Sequence, residues 1–204
     1  MITIVDYGLG NIQAFVNTYK RLGFEVRRAR DAGGLVGATK LILPGVGAFD
    51  HAMQLLNSSG MRPDLEELVQ ARQVPVLGIC VGMQILAHSS DEGKLPGLGW
   101  VHGRVKNFKS DKHSADLPLP HMGWNDVKSV AGTGLFAGLE VGARFYFLHS
   151  YFFDCANVDS VEAFAHYGRD FACAVRSNNV HGVQFHPEKS HHCGTTLLKN
   201  FAES

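Results

Sequence analysis

The chain has 204 residues, 45% of them hydrophobic and 19% charged, which is enough apolar surface for a folded core and excludes a disordered chain. Lys+Arg and Asp+Glu balance at 19 each, so no basic excess points to nucleic acid. No apolar run is long enough to span a bilayer, no basic segment with an apolar signal core opens the chain, and the 4 cysteines (Cys80, Cys155, Cys173, Cys193) lack metal-finger spacing.

In chain order the pattern first alternates. Residues 2–5 read as a strand and 11–22 as a helix with Ile12, Phe15, Val16, Tyr19 and Leu22 on one face, and Gly23 suits its C-terminal cap. Strands are expected over 24–28 and 40–43, then helices near 48–57 and 63–72, then a buried strand through Val76, Leu77 and Ile79 that turns into a helix starting at Met83-Gln84-Ile85-Leu86. Such alternation predicts a parallel sheet with right-handed crossovers. Strands over 145–153, 161–165, 171–176 and 180–186 follow with short connections, Asn178-Asn179 marks a hairpin turn, and 195–202 closes as a helix. The fold class expected is α/β, a mixed, mostly parallel central sheet flanked by helices, in a single domain over residues 1–204.

Pro75-Val76-Leu77-Gly78-Ile79-Cys80-Val81-Gly82 aims one thiol. Cys80 stands at a strand-to-helix junction with a glycine two residues to either side, the Gly-x-nucleophile-x-Gly elbow with cysteine as the nucleophile. The glycines suit it because a Cβ at Gly78 or Gly82 would collide where backbone crosses backbone. A helix N-terminus at Cys80 would favour thiolate over thiol. Taken alone, the segment equally describes a buried structural cysteine at a strand end.

Gly182-Val183-Gln184-Phe185-His186-Pro187-Glu188 is the second element. Pro187 stops strand pairing, so the chain turns there, and Glu188 can accept from the His186 ring. That fixes the tautomer and leaves the other ring nitrogen to take the Cys80 proton. Nucleophile, base and orienting acid are the parts an activated thiol requires. The third element, Leu41-Ile42-Leu43-Pro44-Gly45-Val46-Gly47, runs a strand into a glycine-flanked loop that can offer backbone donors to an oxyanion. One donor is expected from the Val81 amide, the other from Val46 or Gly47.

These segments carry a resemblance that runs nearly end to end. Asp6-Tyr7-Gly8-Leu9-Gly10-Asn11, Leu43 to Gly47, Gly78 to Gln84, Gly97-Leu98-Gly99-Trp100, Pro120-His121-Met122-Gly123-Trp124-Asn125, Tyr146 to Tyr151, Gln184 to Ser190 and Leu198-Lys199-Asn200-Phe201 all take part. On them the chain resembles the class I (triad) glutamine amidotransferases, and within these the glutaminase subunits of histidine biosynthesis. Val81 stands where leucine is commoner, and His191-His192-Cys193 is an unusual stretch.

The resemblance implies glutamine as substrate, contacted by Gly47, Gln84, Glu92, Ser150 and Tyr151. Glu92 would meet the α-amino group and the Ser150-Tyr151 backbone the α-carboxylate. It implies no cofactor. The chain leaves no room for an ammonia-consuming domain, so a partner is expected, which the resemblance makes a (β/α)₈-barrel cyclase forming imidazole glycerol phosphate. Asn11 and Trp124 are the candidate partner-facing residues, in blocks that match beyond what catalysis requires. The free thiolate implies a reducing, cytoplasmic location without export or membrane insertion. A paralogous glutaminase feeding another synthase, such as a sugar-amidating enzyme, and a catalytically silent binding subunit are the alternatives; an intact Cys80, His186 and Glu188 argue against silence.

Other residues invite rival readings. His181, His186, Glu188, His191, His192 and Cys193 lie close in sequence, but their spacing matches no common zinc pattern. Gly8-Leu9-Gly10 lacks the third glycine of a dinucleotide loop. The run from Phe145 to Phe153 is first a buried strand, of which His149 and Ser150 are the members suited to reach a site.

Overall fold

The computed structural model describes residues 1–110, 112, 114, 116–131, 134–139 and 142–204. In chain order, β1 (Ile2–Val5), α1 (Ile12–Arg21), β2 (Val26–Ala29), α2 (Ala32–Leu35), β3 (Lys40–Gly45), α3 (Phe49–Ser58) and α4 (Arg62–Glu66) lead to β4 (Val76–Cys80) and α5 (Val81–Gln84). Then come β5 (Ser89–Ser90), β6 (Gly103–Asn107), β7 (His121–Asp126), β8 (Lys128–Ser129), β9 (Arg144–His149), β10 (Tyr151–Cys155), β11 (Val161–His166), β12 (Asp170–Ser177), β13 (Val180–Val183) and α6 (His191–Glu203).

The sheet order β2-β1-β3-β4-β13-β12-β10-β6-β5 begins with a parallel block from β2 to β13 and turns antiparallel at β12. β1, β4 and β13 are buried at every position, as strands covered on both faces are, with Thr3 and His181 their polar members. β4 is central in the block, paired to β3 and β13, and Cys80 is its last residue. The carboxyl end of such a strand is where open α/β sheets place their ligands.

Helix α1 shows how local sequence sets an element. The Asn11 side chain caps it by accepting from Ala14 N–H at 3.3 Å, and Gly23 follows its end at φ +81°. Its Ile12, Phe15 and Tyr19 are buried, while Val16 and Leu22 pack at the edge of the core. Burying a side chain such as Phe15 contributes roughly 1.5–3 kcal/mol.

Several boundaries differ from the sequence reading; the closing helix, expected from 195, starts at His191. Phe24 belongs to the exit of α1, where its N–H bonds Tyr19 O at 3.0 Å, so β2 starts at Val26. The helix over 63–72 closes with a π turn at Glu67–Ala71, whose Arg72 N–H reaches back to Glu67 O. The expected strand 145–153 breaks at Ser150: β9 pairs with β7 in a separate antiparallel ribbon, and β10 enters the main sheet beside β6 and β12. β13 stops at Val183, because the chain then leaves β4 and His186 N–H bridges to Tyr146 O at 2.8 Å.

Candidate active site

Strand β4 delivers Cys80 at φ 56°, ψ −114°, a conformation that L residues rarely adopt and that stores strain at the turn. The two flanking glycines permit it. A Cβ on Gly82 would lie 1.9 Å from Leu43 O, and one on Gly78 would lie 2.6 Å from Gly82 O. The helix that follows is shorter than the sequence suggested: α5 spans only Val81–Gln84 before the chain turns. One turn sums few peptide dipoles, so a helix N-terminus contributes little to the charge of the thiol.

The end of β3, from which the glycine loop leaves, packs directly on this elbow. A Cβ at Gly45 would lie 2.5 Å from Gly82 N, so only glycine lets the two backbones abut. The buried Tyr7 hydroxyl donates to Pro44 O at 2.7 Å and holds the loop's base. Burial first, and then the nearby Cys80 sulfur, raise the Tyr7 pKa, so the phenol stays a donor. The Asp6-to-Asn11 block therefore serves the site through Tyr7, as well as leaving Asn11 exposed.

His186 reaches the same place from β13. Its Nδ1 lies 2.9 Å from Glu188 Oε1, with both side chains almost fully buried. Burial opposes a charged ring, but the hydrogen bonds and charges of Cys80 and Glu188 outweigh it and lift the His186 pKa to about 10. The second oxygen, Glu188 Oε2, has no hydrogen-bond partner among the described residues, so the carboxylate's pairing is directed at the ring. Ser190 completes the mount, donating to His186 O at 2.6 Å and accepting from Tyr146 N–H at 3.0 Å.

Around Cys80 lies a cavity of about 270 Å³ whose walls include Val46, Gly47, Val81, Gln84, Glu92, Ser150, Tyr151 and His186. Every expected nucleophile, base, oxyanion and substrate-binding residue except Glu188, which stands behind His186, reaches this one space. Glu92 accepts from Phe49 N–H at 2.8 Å, which clips the 90–95 loop onto the start of α3. Gln84 Nε2 donates to Gln184 Oε1 at 3.0 Å, and Gln184 Nε2 lies 3.8 Å from Cys80 Sγ. Sequence reasoning missed Gln184, Ser190 and Tyr7, since a lone amide, hydroxyl or phenol carries no spacing signal.

The expected partner-facing residues lie elsewhere. Asn11 is exposed, and Trp124 is 40% exposed, stacked on His191 with ring centroids 5.2 Å apart. His181 pairs with Glu162 at 3.1 Å. The clustering of histidines in sequence is thus dispersed in space.

A catalytic elbow at the end of a central parallel strand, facing a His–Glu pair and a glycine loop, defines a class. The chain belongs to the class I glutamine amidotransferases, whose family model matches residues 3–204. It is 68% identical over 203 residues, covering the whole of both chains, to the imidazole glycerol phosphate synthase subunit HisH of Bdellovibrio bacteriovorus. To the same-named subunit of Leptospira interrogans it is 51% identical over 202 residues, 99% of each chain. Within the class, this places it in the HisH subunit family. A solved glutamine amidotransferase crystal structure aligns over 99% of this chain and 97% of its own with a TM-score of 0.76 at 23% identity, a likeness of fold.

Proposed function

We propose that this chain, acting as one domain over residues 1–204, hydrolyses glutamine to glutamate and ammonia with Cys80 as nucleophile, His186 as general base and acid, and Glu188 orienting the ring. The Cys80 thiolate attacks the side-chain amide carbonyl, and the oxyanion is held by the Val81 N–H and by the loop at Val46 or Gly47. The His186 imidazolium gives its proton to the leaving nitrogen, releasing ammonia and leaving a γ-glutamyl thioester. The neutral ring then activates water, which frees glutamate. Gln84 spends its amide N–H on Gln184, leaving its carbonyl oxygen for substrate, and Glu92 has a second oxygen left for the α-amino group. Gly47 and the Ser150-Tyr151 backbone complete the binding set.

The observation that carries this reading is the buried His186–Glu188 pair set against a strained Cys80 in one cavity. Quenching the protein during glutamine turnover and mapping the adduct tests it: a glutamyl group on Cys80 is expected. Glutamate release with an adduct on another cysteine, or no release at all from the assembled enzyme, sinks the assignment.

The His186 shift also sets a pH limit. A pKa raised from about 6.5 to about 10 means that the stability contributed by the charged ring is complete below the unfolded value and is lost as pH rises through the folded one. Glutamine turnover is expected to decline above about pH 10 as the acid for the leaving nitrogen disappears. A pH–rate profile on the assembled enzyme checks this, and a decline centred near 7 refutes it.

Ammonia released into water would protonate and diffuse away, so the partner subunit must cover the site. The outward face of the β7–β9 ribbon suits that role. Met122 stands directly across from Leu148 and Trp124 across from Tyr146; Met122, Trp124 and Leu148 are exposed, and Leu148 joins Val46 at the cavity mouth. The family places the partner in imidazole glycerol phosphate synthase, and the acceptor subunit is a (β/α)₈-barrel cyclase. Trp124→Ala is expected to weaken association by roughly 2 kcal/mol or more. Titration of the variant against the cyclase reads this directly, and unchanged affinity removes Trp124 from the interface. The enzyme works in the cytoplasm, where Cys80 stays reduced; among the described residues no helix is long and apolar enough to cross a membrane.

A further inference from the structure

The inward face of the same ribbon sets two histidines beside the buried Phe145 and Phe147. His121 on β7 lies directly opposite His149 on β9, both almost fully buried, with His121 Nδ1 2.8 Å from His149 Nε2. His149 Nδ1 in turn lies 2.7 Å from Tyr151 O. A carbonyl only accepts, so Nδ1 of His149 carries the proton and its Nε2 must accept. His121 therefore donates from Nδ1, and its Nε2 accepts from Asn125 Nδ2 at 3.2 Å. The Asn125 amide is fixed in the same sense, because its Nδ2 also donates to His166 O and its Oδ1 accepts from Asp126 N–H. One direction of donation runs from Asn125 through both rings to the backbone at Tyr151.

The rings are held in place. His121 lies between Phe147 and Tyr167, stacked on both at centroid distances of 4.9 and 4.2 Å, and His149 sits edge-on to Phe108 at 5.4 Å. Burial keeps His121 neutral, its pKa lowered to about 4; burial above all, with the neighbouring His121 and His186 adding to it against the opposing Tyr151 carbonyl bond, lowers His149 to about 3. The acceptor of this chain is not an arbitrary carbonyl. Ser150 is the break between β9 and β10, where the chain passes from the ribbon into the main sheet, and Ser150 and Tyr151 line the cavity. Gln84 Nε2 approaches the same Tyr151 O at 3.5 Å from the opposite wall.

We propose that His121 and His149 are positioning residues for glutamine: the pair braces the Ser150 corner between ribbon and sheet, and so sets the backbone that receives the substrate. It rests on the glutaminase reading above, and it ties the pocket wall to the strand whose other face carries Met122 and Trp124. His149 itself lines the cavity, but the ring nitrogens of both histidines are spent on the chain from Asn125 to Tyr151 O, so the pair's effect belongs on substrate binding.

The test is steady-state glutamine hydrolysis by the assembled enzyme. His149→Leu, which removes the donor to Tyr151 O, is expected to raise KM for glutamine about tenfold, with kcat changed far less. His149→Asn restores an amide N–H at the Nδ1 position and is expected to bring KM back to within about threefold of the native value. An unchanged KM in folded His149→Leu, or a loss confined to kcat, overturns the proposal, as does failure of the asparagine variant to rescue. Ring-nitrogen NMR on the unmodified protein gives a test independent of variant folding and of turnover: both rings should be neutral with the proton on Nδ1. Either ring protonated on Nε2 overturns it. If the native complex releases no glutamate, the glutaminase reading falls by itself, and the NMR result still judges the geometry.

Discussion

Cys80→Ala is expected to abolish glutamine-dependent synthesis, by roughly 10⁴-fold or more, while leaving synthesis driven by added ammonia intact in the assembled enzyme. The thiol has no substitute in the cavity: Cys173 is fully buried in β12, and burial holds its pKa far above the range in which a thiolate forms. The Cys155 thiol, on β10, is likewise pushed up to about 12 by burial and by Asp154. The substitution is also gentle on the fold, since alanine keeps the Cβ and removes only the sulfur at the end of β4. His186→Ala should give a comparable loss, because in the proposed reaction the same ring takes and returns the proton. Glu188→Ala should retain more activity, since the carboxylate acts through the ring. Assaying the complex with each nitrogen source separates the two halves of the reaction. Loss of ammonia-driven synthesis in a folded Cys80→Ala complex would show that the sulfur serves more than ammonia release.

The elbow, the histidine and the carboxylate were legible because each is a short-range pattern with a geometric reason. Gly78 and Gly82 flank Cys80 because backbone passes within contact of either α-carbon. Pro187 opens a tight helical turn directly after His186, so Glu188 can fold back on the ring. The parallel block was legible from the alternation of strands and helices over the first half of the chain. What escaped the sequence depends on long-range partners. The break at Ser150 has no glycine or proline to announce it; it follows from β9 pairing with β7 while β10 pairs with β6. Tyr7 and Gln184 act through one hydrogen bond or two to residues far away in sequence, and Ser190 joins His186 O to the distant Tyr146 N–H. The Pro120-to-Asn125 block looked like a docking segment as a whole, but strand alternation divides it: Met122 and Trp124 face outward, while His121 is buried and Asn125 bonds to its ring.

The lone chain is expected to release glutamate slowly, by about 10²–10³-fold relative to the enzyme assembled with its acceptor substrate, the loss typical of one missing oxyanion donor. The loop after β3 has the construction such control needs. Its base is fixed, by the Tyr7 hydroxyl on Pro44 O and by the contact of Gly45 with the Gly82 backbone. Beyond that anchor restraint ends: Val46 is 42% exposed, and Gly47 sits at φ +90° with nothing within 4 Å of the position a Cβ would occupy. A peptide between an exposed valine and a glycine can turn its N–H toward or away from the cavity at little steric cost. A partner seated on Met122, Trp124 and Leu148 would lie against Val46 at the cavity mouth and could hold one of those orientations. Measuring glutamate release from the lone chain, from the complex and from the complex with acceptor substrate resolves the steps. Full activity in the lone chain would mean that the donors already stand in place, and that the glycine loop serves packing against the elbow alone.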